Sequence, residues 1–252
     1  MAISNLDAER RRERLVALAH EADGVLIDAA AELFAVSTMT IRRDLLDLEA
    51  EGRVRRVRGG AVAAETARAF DARSAVRATA KRAVAAKALS LVPRRGVVAL
   101  DASTTVHALA ASLGSRDRLM VCTNAFETFQ AANRLEGVTA VLSGGAAEPT
   151  TGSLVGPIAR RSLSSVYFDV FFASADAVDP SDGTSEVSVE EAEVKRMLAA
   201  GASRTVLCVD ASKLGRRSVA RALESDEISA IVTELEPSDP RLDPYRSLAE
   251  II

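Results

Sequence analysis

The sequence holds no tryptophan, two cysteines, two histidines and 4% aromatic residues in 252. With so few rings, a core has to be built mainly from Ala, Val, Leu and Ile. Cys122 and Cys208 sit inside the apolar stretches LMVCTN and TVLCVD, which suits core thiols better than a redox pair. His20 and His107 have no second His or Cys at ligand spacing, so no metal site is expected, and no cofactor. No apolar run approaches the ~20 residues that span a bilayer, so no membrane partner is expected. The opening MAISNLDAERRRERL carries charge with no apolar segment after it, unlike a secretory signal; the expected setting is cytoplasmic and reducing. An excess of charge is also lacking: 32 basic side chains face 35 acidic ones, for a net −3. Any contact with a polyanion must therefore come from local charge.

Local charge is there. RVRRVRGG, residues 53–60, packs four arginines and no acid into eight positions. The elements before it are helical. Leu15, Val16, Leu18 and Ala19 mark a first helix studded with arginine, and Asp23-Gly24 breaks it. DAAAELFA (28–35) is a short second helix with Ala31, Leu33 and Phe34 as apolar candidates. Ser37 is a good N-cap, and Ile41, Leu45 and Leu48 fall on one face of a third helix. Gly52 ends it. RVRRV, Arg58-Gly59-Gly60 and AVAA then give strand, turn and strand. Helix, helix, turn, helix, hairpin is the order of a winged helix-turn-helix.

If Ile41, Leu45 and Leu48 face the core, Met39 and Arg43 point outward, with Thr40 and Arg42 on the flanks and Thr38 at the exposed start. The first turns of a recognition helix reach base edges, and arginine can bond guanine bidentately. The alternative is an outer face that merely happens to be polar. The hairpin weighs against it: Arg53, Arg55, Arg56 and Arg58 spread over both faces can meet phosphates, with Gly59 and Gly60 turning close to the duplex. The candidate DNA contacts are Ser37, Thr38, Met39, Thr40, Arg42, Arg43, Arg53, Arg55, Arg56, Arg58, Gly59 and Gly60.

From Val97 the pattern changes to apolar strands alternating with helices. VVALD, RLMVCTN, VTAVLSGG, DVFFASAD, RTVLCVD and ISAIVTEL are strands, and 189–200 is a helix. Continuous apolar strands predict a mostly parallel sheet covered by helices on both faces. The expected organisation is a winged helix-turn-helix over 1–64, a linker over 65–80 and an α/β domain over 81–252. Ligands in such sheets bind at the carboxyl ends of strands. Asp101-Ala-Ser103-Thr104-Thr105 lies at one such end and opens a helix, which suits an anion or, more simply, a hydroxyl N-cap. Thr123-Asn124 and Gly144-Gly145 close two more strands. A Gly-x-Gly-x-x-Gly turn is not found where a dinucleotide fold needs it, since the sequence there is DASTTVHA.

The stretch ELFAVSTMTIRRDLLDLEAEGRVRRVRGGAV resembles the signature of the DeoR family of bacterial transcriptional repressors, and the likeness extends over roughly residues 8–235. It implies an operator-binding repressor of sugar or carbon metabolism genes, acting as a dimer or larger homo-oligomer on double-stranded DNA. It implies too that the second domain is similar to ribose-5-phosphate isomerase and holds a phosphorylated sugar or related metabolite. The family's effector loop is Asp-x-Gly-Thr-Thr, here with Ser103 in place of glycine. Asp176 stands in SADAVD, where Ser174 and Ala177 replace two usual glycines. Glu191 and Lys195 match a family Glu-x-x-x-Lys, though an intrahelical ion pair explains that spacing equally well. Asp210, Ser212 and Lys213 match Asp-x-Ser-Lys. Ala35 replaces a usual turn glycine and Leu26 a usual Ser or Thr cap. Asp101, Asp176, Glu191 and Lys213 also have the chemistry of an isomerase, which makes an enzyme with a DNA-binding head the alternative to a non-enzymatic sensor.

Overall fold

The computed structural model describes residues 2–21, 24–50, 54–57, 59–63 and 65–252. The chain divides into two units after Ala75. The first contains α1 (Ala2–Glu21), β1 (Val25–Leu26), α2 (Ile27–Leu33), α3 (Thr38–Ala50), β2 (Val54–Val57), β3 (Gly60–Ala63) and α4 (Glu65–Ala75). Leu15 and Ala19 of α1 meet Ile41, Leu45 and Leu48 of α3 in a core where all five are fully buried. The α3 face is the one that its spacing predicts. In α2 the expectation fails in part. Ala30 and Ala31 are buried, while Leu33, about 200° further round the helix than Ala31, is 62% exposed.

Three local features set this unit's geometry. Ser37 Oγ accepts from the Thr40 amide at 3.1 Å and caps α3. Ala35, in the turn before it, is left-handed at φ 51°, which explains why glycine is favoured there. The hairpin β2–β3 is extended by β1 into an antiparallel sheet of order β1-β3-β2. A Cβ on Gly60 would lie 2.1 Å from the Val25 carbonyl oxygen, so this glycine is required by strand pairing whatever the hairpin touches.

Residues 65–80, expected as a linker, are largely helical: α4 and the first turn of α5 (Ala78–Ala88) take them up, and the division between units falls in the turn joining these helices. Their alanine-rich, helix-favouring composition is the reason.

The second unit adds β4 (Gly96–Leu100), α6 (Thr104–Ser112), β5 (Leu119–Thr123), α7 (Phe126–Asn133), β6 (Val138–Leu142), β7 (Ala146–Ala147), β8 (Leu154–Val155), α8 (Gly156–Leu163) and β9 (Val170–Ala173). It continues with β10 (Ala177–Asp179), β11 (Gly183–Glu186), α9 (Val189–Ala200), β12 (Thr205–Cys208), β13 (Ala220–Arg221), β14 (Ala230–Val232) and β15 (Glu250–Ile251). Seven strands form one parallel sheet in the order β15-β14-β12-β9-β4-β5-β6. Alternation along the strands feeds two cores. Val98, Leu100, Val121, Phe172, Val206 and Val232 pack with α5, α6 and α7 on one face. Ala99, Cys122, Phe171, Leu207 and Ile231 pack with α8 and α9 on the other. Phe171 and Phe172 are both fully buried, each worth ~1.5–3 kcal/mol of apolar burial. A second, antiparallel sheet, β10-β11-β13, has no counterpart in the sequence pattern and sits beyond the carboxyl end of β9.

The chain runs outward from β4 through β5 to β6, then returns to β9 on β4's other side and runs outward again to β12, β14 and β15. The reversal opens the crevice of a switch-point sheet at the carboxyl ends of β4 and β9. Asp101 and Ser174 are the residues found there.

Candidate functional site

In the first unit Thr38, Met39, Arg42 and Arg43 are exposed on α3, Thr40 is half-buried, and its hydroxyl lies 2.9 Å from that of Ser37. Asp44, on the opposite side, is buried and accepts from Arg11 of α1 at 2.6 Å. That ion pair fixes α3 against α1 and leaves Arg42 and Arg43 facing solvent. In the hairpin, Val54 is buried and Val57 half-exposed. Arg56 is exposed, but its guanidinium Nε donates to Glu49 at 2.6 Å and its amide donates to the same carboxylate at 2.9 Å. These two donors hold the Glu49 carboxyl below its ordinary range. Arg56 is therefore anchored to the end of α3 instead of standing free. Gly59 makes the turn at φ 86°. Arg53 and Arg58 lie outside the described residues, as does the side chain of Arg55.

In the second unit the structure joins three of the expected residues, Asp101, Ser103 and Lys195, to each other and to Glu186, which sequence reasoning missed. The Asp101 carboxylate accepts from the Ser103 amide at 2.9 Å, the Ser174 amide at 2.6 Å and Lys195 Nζ at 2.8 Å. Lys195 also donates to the Ser174 carbonyl and lies 2.8 Å from Glu186 at the end of β11. It thus reaches across from α9 to β4, β9 and β11 rather than pairing along the helix with Glu191. Glu191 accepts instead from the hydroxyls of Thr151, at 2.8 Å, and Ser153, at 2.7 Å. Glu148 gathers the Thr150 and Thr151 amides on the same loop. All these charged side chains are buried.

Burial works against charge on both Glu186 and Lys195. For Glu186 it wins, and with Glu191 and Asp101 nearby the carboxyl is pushed up to about 7, despite the attraction of Lys195. For Lys195 the three carboxylates outweigh burial and hold the ammonium above its ordinary range. No local spacing marks Glu186, because its partner Lys195 lies nine residues on in the next helix, outside any strand or helix repeat.

A second group is more open. Lys213 Nζ donates to Asp176 at 3.1 Å, and Ser218 Oγ donates to the same carboxylate at 2.7 Å. Burial raises the Asp176 pKa, but these two donors outweigh it, and the net direction is down. Asp210 accepts from the amide and hydroxyl of Ser212, closing the loop that carries Lys213. Ser103 Oγ accepts from the Val106 amide at 3.1 Å, so the simple N-cap is realised, and Thr104 and Thr105 are buried in the turn behind it. Thr123 Oγ1 caps the Ala125 amide at 3.1 Å, and Asn124 Nδ2 donates to the Leu154 carbonyl at 3.1 Å. Gly144 and Gly145 are left-handed at φ 65° and 120°. A Cβ on Gly145 would lie 2.6 Å from the Val155 carbonyl oxygen, while Gly144 faces more open space.

Cys122 and Cys208 are free and buried. Burial pushes the Cys122 thiol up to about 11 and raises Cys208 as well. Among the described residues no cluster of His, Cys, Asp and Glu has the makings of a metal site. No helix among them is long and apolar enough to cross a membrane.

A helix-turn-helix with a hairpin wing, followed by an α/β unit with polar groups gathered at a switch point, is the architecture of a DNA-binding regulator. The chain belongs to the DeoR family: residues 11–67 match its DeoR-like helix-turn-helix domain and 76–235 its C-terminal sensor domain. It is 31% identical to the HTH-type transcriptional regulator GlpR of Haloferax volcanii, over 91% of this chain and 90% of that one. It is 29% identical to the L-fucose operon activator of Escherichia coli (strain K12), over 89% and 94%. Against the lactose phosphotransferase system repressor of Streptococcus mutans the identity is 27%, over 97% and 98%. Among solved structures, ribose 5-phosphate isomerase A of Methanocaldococcus jannaschii is similar over 53% of this chain and 52% of that one, at 19% identity and a TM-score of 0.39. The protein is a DNA-binding transcriptional regulator.

Proposed function

We propose that the protein represses genes of sugar or carbon metabolism and that a phosphorylated sugar or related metabolite sets its operator affinity. The effector sits at the carboxyl ends of β4, β5, β6, β9 and β12. There the half-exposed Lys213, the amides at the start of α6, and Gly144 offer it donors, Asp176 offers an acceptor, and Ser212, held by Asp210, shapes the loop. On this reading the regulator works in the cytoplasm as a homodimer or larger homo-oligomer. Two of the relatives are named for fucose and lactose systems, which supports the sugar assignment. The first is an activator and the second a repressor, and the repressor supports the sign of regulation proposed here.

One observation carries the choice of sensor over isomerase. Both oxygens of Asp101 are occupied by internal donors, and Lys195 is buried among Asp101, Glu186 and the Ser174 carbonyl. A general base needs an oxygen within reach of the proton it removes, and here that oxygen is engaged in holding two strand ends together. The site is better built to bind than to turn over. An effector acts only through its different affinity for the DNA-competent and DNA-incompetent arrangements.

The test is a thermal-shift screen of the full chain against pentose and hexose phosphates, with hits assayed for isomerisation. Stabilisation without turnover is expected; turnover would restore the enzyme. On the DNA side, alanine at Arg55, Arg56 and Arg58 together should weaken binding to every duplex. The salt slope should fall by about one for each phosphate that is no longer neutralised. An unchanged slope would remove the hairpin from the interface.

A further inference from the structure

The chain enters the sensor unit at Val76-Arg77, immediately past the division after Ala75. Arg77 is the N-cap of α5 and is left-handed, at φ 55° and ψ 34°, a conformation unusual for a residue with a long side chain. Such a backbone persists when its surroundings over-determine it, and here they do. Arg77 Nε lies 2.7 Å from Asp210, and its terminal nitrogen donates to Glu234 at 3.0 Å. Both acceptors also shape the strand-end loop 210–213. Asp210 Oδ1 holds the Ser212 amide and hydroxyl, and Glu234 holds the Ala211 amide at 3.0 Å. Asp210 is buried, with 3% of its side chain exposed, so Arg77 neutralises a charge that water barely reaches. The same loop ends in Lys213, which binds Asp176. Arg77 therefore touches at once the start of α5, through its own backbone, and both carboxylates that organise the Lys213 loop.

We propose that Arg77 is a positioning residue that couples the 210–213 loop, one wall of the effector crevice, to the point where the chain enters the sensor unit. The coupling rests on the effector reading only for its use; the tether itself is independent of it. When loop 210–213 moves, Asp210 and the Ala211 amide move, and the guanidinium that spans Asp210 and Glu234 has to follow. The left-handed backbone of Arg77 and the first turn of α5, whose Lys81 amide donates to the Arg77 carbonyl at 3.1 Å, move with it.

Hydrogen exchange on the full chain tests this with Arg77→Gly, Arg77→Lys, Lys213→Ala and the Arg77→Gly/Lys213→Ala double variant. Glycine accepts the left-handed backbone, so it removes the tether without imposing strain. Arg77→Gly is expected to speed exchange at 211–214 about tenfold or more, and Arg77→Lys to restore part of the protection. Lys213→Ala is expected to speed exchange at 78–82 in the parent but not in the Arg77→Gly background. Unchanged exchange at 211–214 in Arg77→Gly, or an equal effect of Lys213→Ala with and without Arg77, would overturn the proposal. Coupling in a protein that no sugar phosphate stabilises would keep the tether and remove the effector reading. A sugar-phosphate shift without coupling would do the reverse.

Discussion

Replacing Glu186 with glutamine isolates the most perturbed carboxyl of the switch-point cluster. In the folded chain Glu186 is buried among Lys195, Glu191 and Asp101, and its pKa rises from the ordinary 4.5 to about 7. The folded state therefore holds a proton that the unfolded state has already released between those two values. Stability from this group is fully present below pH 4.5 and is lost as pH rises through 7. At ~1.4 kcal/mol per pH unit, the gap is worth about 3 kcal/mol. Glutamine keeps the shape but does not titrate. Guanidinium denaturation of parent and Glu186→Gln at pH 5, 6, 7 and 8 gives the difference curve. The attraction of Lys195 grows only as Glu186 ionises and is already contained in its raised pKa, so any further cost of the substitution is an offset that does not vary with pH. The difference should move in favour of the variant by about 2–3 kcal/mol from pH 5 to 8. A constant offset across all four pH values would refute the reasoning, since it would mean that Glu186 titrates as it does in the unfolded chain.

Other changes test the remaining architecture. Lys195→Met keeps the aliphatic stem but leaves Asp101 and Glu186 buried without their cation, and should cost about 3–5 kcal/mol of unfolding free energy at neutral pH. A loss under ~1 kcal/mol would show that water fills in for the ammonium. Ala35→Gly relieves the left-handed turn before α3 and should stabilise the helix-turn-helix unit by about 0.5–1 kcal/mol, after the entropy of glycine is deducted. A lower denaturation midpoint for that unit would contradict the assigned backbone. Leu26 caps α2 with no side-chain hydrogen bond and is 65% exposed, so Leu26→Thr should add about 1 kcal/mol without emptying a core site. Calorimetry that finds the variant less stable would show that Leu26 packs where it looks exposed.

Periodicity made much of this fold readable. Ile41, Leu45 and Leu48 are buried as their spacing predicts, and the apolar runs from Val97 onward do form one parallel sheet. Where periodicity is short it misleads. In seven-residue α2, Ala30 and Ala31 supply the buried face and Leu33 points away. The sheet β10-β11-β13 has strands of two to four residues, too short for an alternation to stand out. The strand-end residues were legible as a set, but their partners were not. Glu191 and Lys195 share a helical face, yet each bonds to segments tens of residues away, and such pairs leave no local trace. Arg77 escaped for the same reason: Asp210 and Glu234 lie more than 130 residues downstream.

The polar residues at the switch point divide into two sets with different consequences. Asp101, Glu186, Glu191 and Lys195 are buried and bonded to one another, to Ser174 or to the Thr151 and Ser153 hydroxyls. Asp176, Ser212 and Lys213 are half-buried, with a single ion pair between them. Side chains of the first set match acid–base chemistry by type, but the bonds of Asp101 and Lys195 and the Lys195–Glu186 ion pair join β4, β9, β11 and α9. A ligand that drew on Asp101 or Lys195 would have to break a buried ion pair, whereas one that met Lys213 would displace a partly solvated carboxylate at far smaller cost. On the effector reading, recognition then falls to the second set. On the same reading the first set holds the strand ends together, so that a change at the Lys213 loop is passed on to Arg77 instead of being absorbed.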